Sequence, residues 1–208
     1  MARKRSDELQ KGDAPVVGIL TGSPSDLPTV QKAEEVLHGL GIPCEVHAMS
    51  AHRTPDLVVG YVSTARGRGI EVIIACAGMA AHLAGVVAAH TTLPVIGVPL
   101  ASGALSGLDA LLATVQMPPG VPVATVGVDG TRNAGFLAAR ILAGRHPELV
   151  ARIEEGLAKD RARYATKGNS PRKRSAAKRA SGATARSRAE PKKARAGTAR
   201  PGAKRRRR

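Results

Sequence analysis

VVGILTGSPSDLPTVQKAEEVLHGL, residues 16–40, is the stretch that decides the architecture. Residues 16–20 are apolar throughout, the pattern of a strand covered on both faces rather than one alternating between core and water. The run ends in Thr21-Gly22-Ser23. From Asp26 to Leu40, Val30, Ala33, Leu37 and Leu40 recur at helical spacing, and Gly41 stops the helix. A non-alternating strand followed at once by a helix is one half of a crossover unit, in which the helix returns the chain over the face of a parallel sheet.

The same unit recurs outward along the chain. Residues 45–49 read as a second strand, and Thr54-Pro55-Asp56 opens a helix with Thr54 placed to cap it and Pro55 at its first position. Residues 72–75 and 95–98 read as strands three and four, followed by helices over 80–89 and 108–115. Residues 123–126 make a fifth strand, and 131–143 a helix whose apolar side is marked by Phe136, Ala139, Ile141 and Leu142. A last amphipathic helix runs from Pro147 to about Tyr164. Right-handed crossovers then give a three-layer α/β/α domain on a parallel sheet, flavodoxin-like or Rossmann-like in kind. No internal repeat at solenoid spacing occurs.

Charge divides the chain in two. The 208 residues carry a formal net charge of +16, which on its own suggests a nucleic-acid binder. Residues 1–158 hold 12 Lys/Arg and 14 Asp/Glu, a net of −2, while residues 159–208 hold 20 and 2, a net of +18. The first part suits one domain that buries about two-thirds of its unfolded surface. The second contains no Val, Ile, Leu, Met or Phe, and Tyr164 is its only aromatic. Such a segment cannot offset its ordering entropy, so it reads as disordered and excludes a second folded domain. The expected organisation is a polar N-terminal extension over 1–14, the α/β/α domain over 15–160 and a Lys/Arg/Ala-rich tail over 161–208.

Cys44 and Cys76 form no CxxC pair and show no Cys/His metal spacing, which argues against a disulfide framework or a structural zinc site and for reduced thiols. Residues 1–14 lack the apolar core of a signal peptide, and no apolar run approaches the ~20 residues needed to span a bilayer. A soluble, cytoplasmic protein with no membrane contact is expected.

In such sheets ligands bind beyond the carboxyl ends of the strands, near the switch point. After strand one, Gly22-Ser23-Pro24-Ser25-Asp26 offers a tight turn, hydroxyls and helix amides suited to an anionic or hydroxylated ligand. The same residues also make an ordinary cap, with Ser25 or Asp26 capping and nothing bound. Neither a Walker A loop nor a GxGxxG fingerprint occurs. After strand two, Ser50-Ala51-His52-Arg53 sets a proton-exchanging imidazole beside a guanidinium that can hold phosphate bidentately. After strand three, Gly78 and its small neighbours let backbone approach a ligand, while His82 alone also reads as a helix histidine with a local hydrogen bond. Residues 116–123 place three prolines between helix and strand, a rigid connector suited to a pocket wall or subunit contact. His38, His47, His90 and His146 lack catalytic surroundings.

Taken in order, these pieces resemble the PurE family of purine biosynthesis. Residues 22–26 fit its GSxSD loop, 50–55 its SAHRTP segment, 80–83 its AAHL and 97–99 its GVP. Ser106-Gly107-Leu108-Asp109 fits SGxD, Gln116-Met117-Pro118 fits QMP, and Asn133-Ala134 fits the late NA pair. The ordered set covers residues 15–160, and nothing in the tail matches.

The resemblance implies conversion of N5-carboxyaminoimidazole ribonucleotide to 4-carboxyaminoimidazole ribonucleotide, with His52 as general acid and base. It implies that Arg53 and Ser50 hold the phosphate and Asp26 the ribose hydroxyls. Ser23, Ser25 and the Gly78 backbone would line the base and carboxylate pocket, with His82 close by. It further implies a homo-octamer, no cofactor and no metal, and an ATP-dependent carboxyaminoimidazole ribonucleotide synthase as functional partner. Bacterial members often read GGAAHLPG where this chain has Met79 and Ala84 in place of a Gly and a Pro. Animal-type members read SAHKT, lack the AAHL histidine and carboxylate aminoimidazole ribonucleotide directly, so Arg53 and His82 favour the mutase.

Two competing functions follow from other features. The Thr21-Gly22-Ser23 loop permits a flavin or nucleotide redox protein, although residues 1–158 offer only Tyr61 and Phe136 for stacking. The tail permits salt-dependent, non-specific contact with polyanions.

Overall fold

The computed structural model describes Leu9 and residues 14–168. Its first strand is β1 (Val17–Thr21), buried at every position. The other strands are β2 (Cys44–Ala48), β3 (Val72–Gly78), β4 (Val95–Leu100) and β5 (Ala124–Thr125). They alternate with α1 (Leu27–Gly39), α2 (Pro55–Ala65), α3 (Leu83–Ala89), α4 (Leu108–Val115) and α5 (Thr131–Leu142), and α6 (Glu148–Gly168) closes the series. The sheet has the order β2-β1-β3-β4-β5, and every pairing is parallel. This is the flavodoxin-like order, with its switch between β1 and β3.

Successive strand residues feed opposite cores. Ile19, Ile74 and Ile96 join Leu37, Ala138 and Leu149 on the face covered by α1, α5 and α6. Leu20, Ile73 and Val95 join Val58, Val62, Leu83 and Val87 under α2 and α3. Each such Ile, Leu or Val side chain, fully buried, contributes about 1.5–3 kcal/mol, and it is this two-sided burial that makes the strands read as unbroken apolar runs. Gly97 lets α4 lie close to β4, because a Cβ there would overlap Thr114 Cγ2 and come within 2.7 Å of Val123 Cγ1.

Several boundaries differ from the sequence expectation for identifiable reasons. β3 continues to Gly78, and α3 starts at Leu83 rather than 80, because Met79 (φ +54°) and Ala81 (φ +43°) adopt left-handed backbone that no helix can contain. β4 includes Pro99, whose carbonyl accepts from Asp129 N at 2.9 Å on the β5 side. β5 pairs only with Ile96 and Gly97, so the proline interrupts no ladder there. The buried side of α5 is Ala134, Ala138, Ala139 and Leu142, and Phe136 and Ile141 are only half-buried. Small residues let α5 sit near α1, and the larger side chains lie to the flank.

Thr54 occupies the N-cap position of α2 without capping it. Its hydroxyl accepts from Ser50 N at 2.9 Å and donates to Ser50 O at 3.2 Å, bracing the preceding loop instead. Leu9, within the expected polar extension, is buried in the core, and its backbone bonds to α6 through Glu148 Oε1 (3.3 Å) and Arg152 Nη1 (3.0 Å). α6 reaches Gly168, beyond both the expected helix end and the expected domain boundary. The remainder of the expected tail, residues 169–208, lies outside the described residues.

On the edge strand β2, Glu45 Oε1 accepts from Tyr61 OH at 2.7 Å and from Arg68 Nη1 at 2.6 Å. Burial raises the Glu45 carboxyl, but the hydrogen bonds from Arg68 and Tyr61 together outweigh it and bring the group below the usual carboxylate range. The Tyr61 hydroxyl is pushed up, by burial first and by the Glu45 contact second.

Candidate active site

The loops that follow β1, β2 and β3 meet over the carboxyl ends of those strands in a cleft of about 510 Å³. All eight residues expected at the site, Ser23, Ser25, Asp26, Ser50, His52, Arg53, Gly78 and His82, line it.

The first loop is wired through its own hydroxyls. Ser23 Oγ accepts from Ser25 N at 3.3 Å, so Ser23 caps this turn rather than Ser25 or Asp26. The two serine oxygens lie 2.7 Å apart, and Ser25 Oγ donates to Asp26 Oδ1 at 3.2 Å. Thr21 Oγ1, buried at the end of β1, reaches the second carboxylate oxygen at 3.5 Å. A carboxylate has about four acceptor sites, so Asp26 is oriented and retains capacity for ligand hydroxyls.

In the second loop Ser50 Oγ accepts from the backbone of His52 and of Arg53, each at 3.3 Å. Its own hydrogen stays available to an incoming acceptor. Arg53 Nη2 donates to Gly22 O at 2.8 Å, tying the second loop to the first. Five N–H groups on the guanidinium leave donors for an anion after that tie.

The third loop brings a second imidazole against the first. The chain turns at Met79 and Ala81, so His82 stands at the N-cap position of α3 instead of inside it. Its Nδ1 lies 2.7 Å from His52 Nε2, with the rings edge-on at 86°. One of those nitrogens must carry hydrogen and the other a lone pair, so the two imidazoles share a single N–H between them. Gly78 lets the end of β3 lie close to the segment after β4: a Cβ there would overlap Ser102 Oγ and stand 3.3 Å from Leu100 O.

Ser102 escaped the sequence reading. Its Oγ is buried, has no hydrogen-bond partner among the described residues and borders the cleft. The rule that ligands gather at strand carboxyl ends applies to β4 as well, but a strand ending at 98 leaves Ser102 too far along the chain to notice. Asn133 and Gln116 are not among the lining residues, and Met117 packs its sulfur toward Gly85 on α3. Among the described residues no Phe, Tyr or Trp lines the cleft, so the flavin reading lacks its stacking platform there. His47 packs on Tyr61 with centroids 5.2 Å apart, His90 bonds Val86 O at 2.8 Å and His146 pairs with Glu71 at 3.0 Å.

The strand order, with its cleft over β1 and β3, defines the class: a flavodoxin-like α/β/α enzyme domain. Within that class the chain belongs to the AIR carboxylase family, whose model matches residues 16–163. It is 55% identical over 147 residues to the N5-carboxyaminoimidazole ribonucleotide mutase of Pyrococcus abyssi, covering 71% of this chain and 84% of that one. The protein of the same name from Mycobacterium tuberculosis is 56% identical over 142 residues, 68% of this chain and 82% of that one. The crystal structure of Treponema denticola PurE superimposes with a TM-score of 0.66 at 28% identity, covering 75% of this chain and 99% of that one. The family resemblance carried by the ordered motifs is therefore borne out, and with it the α/β/α fold. No described helix is long and apolar enough to cross a membrane.

Proposed function

We propose that this protein converts N5-carboxyaminoimidazole ribonucleotide to 4-carboxyaminoimidazole ribonucleotide in purine (IMP) biosynthesis, an isomerisation that moves a carboxylate from nitrogen to a ring carbon. The observation that carries the proposal is the His52–His82 contact of 2.7 Å in a cleft that also contains Arg53, Asp26 and a serine-rich turn. Direct carboxylation of aminoimidazole ribonucleotide is not favoured, since the curated relatives carry the mutase name.

In the first half-reaction His52 gives its proton to the exocyclic nitrogen as the N–C bond breaks, leaving carbon dioxide and aminoimidazole ribonucleotide. The ring carbon then attacks carbon dioxide, forming the C–C bond, and His52 takes the proton that this carbon carried. Proton and carboxylate are both conserved, so one imidazole serves both directions. His82 fixes the His52 ring through their shared hydrogen and is its positioning residue. Arg53 and Ser50 hold the phosphate, which leaves the base over Gly78, where the lack of a side chain lets the ring approach backbone. Asp26 takes the ribose hydroxyls, and Ser23 and Ser25 border the carboxylate. Retaining carbon dioxide requires a site poor in water. A homo-octamer, in which neighbouring copies cover the open side of the cleft, supplies that closure. The cytoplasm is the compartment, and an ATP-dependent carboxyaminoimidazole ribonucleotide synthase supplies the substrate. The basic tail is an appendage with weak, salt-dependent affinity for polyanions.

The test is incubation of the purified protein with N5-carboxyaminoimidazole ribonucleotide, or with aminoimidazole ribonucleotide plus bicarbonate. Turnover of the first is expected; conversion of only the second overturns the mutase reading.

A further inference from the structure

Glu34 and His38 stand four residues apart on α1, so one turn of helix brings both to the same face. Cys44 opens β2, at the opposite end of that strand from the loop bearing His52. The turn between them is firmly held: Gly41 N donates to His38 O at 3.0 Å and Ile42 N to Leu37 O at 2.9 Å, with Ile42 buried in the core. Cys44 is thereby presented to the helix face. Its Sγ lies 3.6 Å from His38 Nε2, and one ligand atom from each of the three residues lies within 4.8 Å of the other two.

From these positions we infer that Glu34, His38 and Cys44 form a binding site for a divalent transition-metal ion of the zinc type, separate from the cleft. Tetrahedral zinc, with bonds of about 2.3 Å to sulfur and about 2.0–2.1 Å to imidazole nitrogen, holds those two donors about 3.6 Å apart. That is the separation the protein already has between Cys44 and His38. Thiolate, imidazole and carboxylate together form a borderline-soft set that suits Zn²⁺ or Co²⁺ and not Mg²⁺ or Ca²⁺. His38 is exposed, so an ion can enter from solvent, and water completes the fourth position. Sequence spacing alone gives no sign of the site, because two ligands come from a helix and the third from across a turn.

Titration of the metal-free, full-length protein with Co²⁺ tests the assignment. One equivalent is expected to bind, giving a thiolate-to-cobalt charge-transfer band and the intense visible bands of tetrahedral coordination. Cys44→Ser abolishes the charge-transfer band, and His38→Gln or Glu34→Gln weakens binding by about tenfold or more. His38 is exposed, so its replacement leaves a folded protein on which the affinity is read. Metal held at the His52–His82 pair would give no sulfur band. Absence of the band in the wild type, its survival in Cys44→Ser, or an affinity unmoved by either helix variant overturns the inference.

Discussion

Replacing Met79 by Gly is expected to stabilise this protein. Met79 has φ +54°, where a side chain crowds the backbone and costs about 1–2 kcal/mol. Its side chain is 60% exposed, so truncation removes little buried apolar area. Against the relief stands the greater freedom of glycine in the unfolded chain, about 0.5–1 kcal/mol. The mid-range balance favours Gly by about 0.75 kcal/mol, which for a domain of this size raises Tm by about 1.5–3 °C. Calorimetry on the wild type, Met79→Gly and Met79→Ala separates backbone from side chain. Ala retains the Cβ and hence the strain, so it should lie within about 0.5 kcal/mol of the wild type. A Gly variant no more stable than the wild type would refute the reasoning, as would an Ala variant that gains as much as Gly.

Three further outcomes are expected. Gly97→Ala should cost about 1–3 kcal/mol in urea denaturation, with an unchanged m value, because the new methyl has to displace Thr114 and Val123 between α4 and β4. The Glu45 carboxyl is lower in the folded protein than in the unfolded chain, so its stabilising contribution is present above the unfolded value near ~4.3 and lost as pH falls through the folded one. The stability gap between wild type and Glu45→Gln should accordingly be open at pH 7 and closed in acid, and a gap independent of pH would contradict the assigned cause. His82→Asn should lower kcat by about tenfold, the worth of one hydrogen bond of about 1–1.5 kcal/mol, with KM little changed. An effect on KM alone would place His82 in substrate binding instead.

The order of elements was legible because each strand carries an unbroken apolar run and each helix an apolar stripe. The cleft was legible because its residues fall in three short loops that the switch-point rule selects. What escaped was set by contacts between distant segments. The left-handed turns at Met79 and Ala81 carry no glycine to announce them, so the expected start of α3 falls three residues early and puts His82 inside the helix instead of at its N-cap. Thr54 has the right type and position for a cap, yet Ser50 competes for its hydroxyl. Ser102 becomes notable only when Gly78 is brought against it across the sheet. The burial of Leu9 rests on partners in α6, more than a hundred residues away.

That last contact bears on how the chain reaches its native state. Arg152 on α6 donates through Nη1 to Leu9 O at 3.0 Å and to Leu40 O at 3.1 Å, fastening the start of the domain and the end of α1 to its final helix. During synthesis the first of these partners leaves the ribosome early and the last leaves late. The sheet can assemble with α1 and α5 over it in the interval, but the part of that face that Leu149 and Ile153 cover stays open until α6 arrives. Closing a loop of this length comes late and slowly. The nascent domain therefore passes through a stage with an open flank, and a chaperone that recognises apolar surface would find its target there.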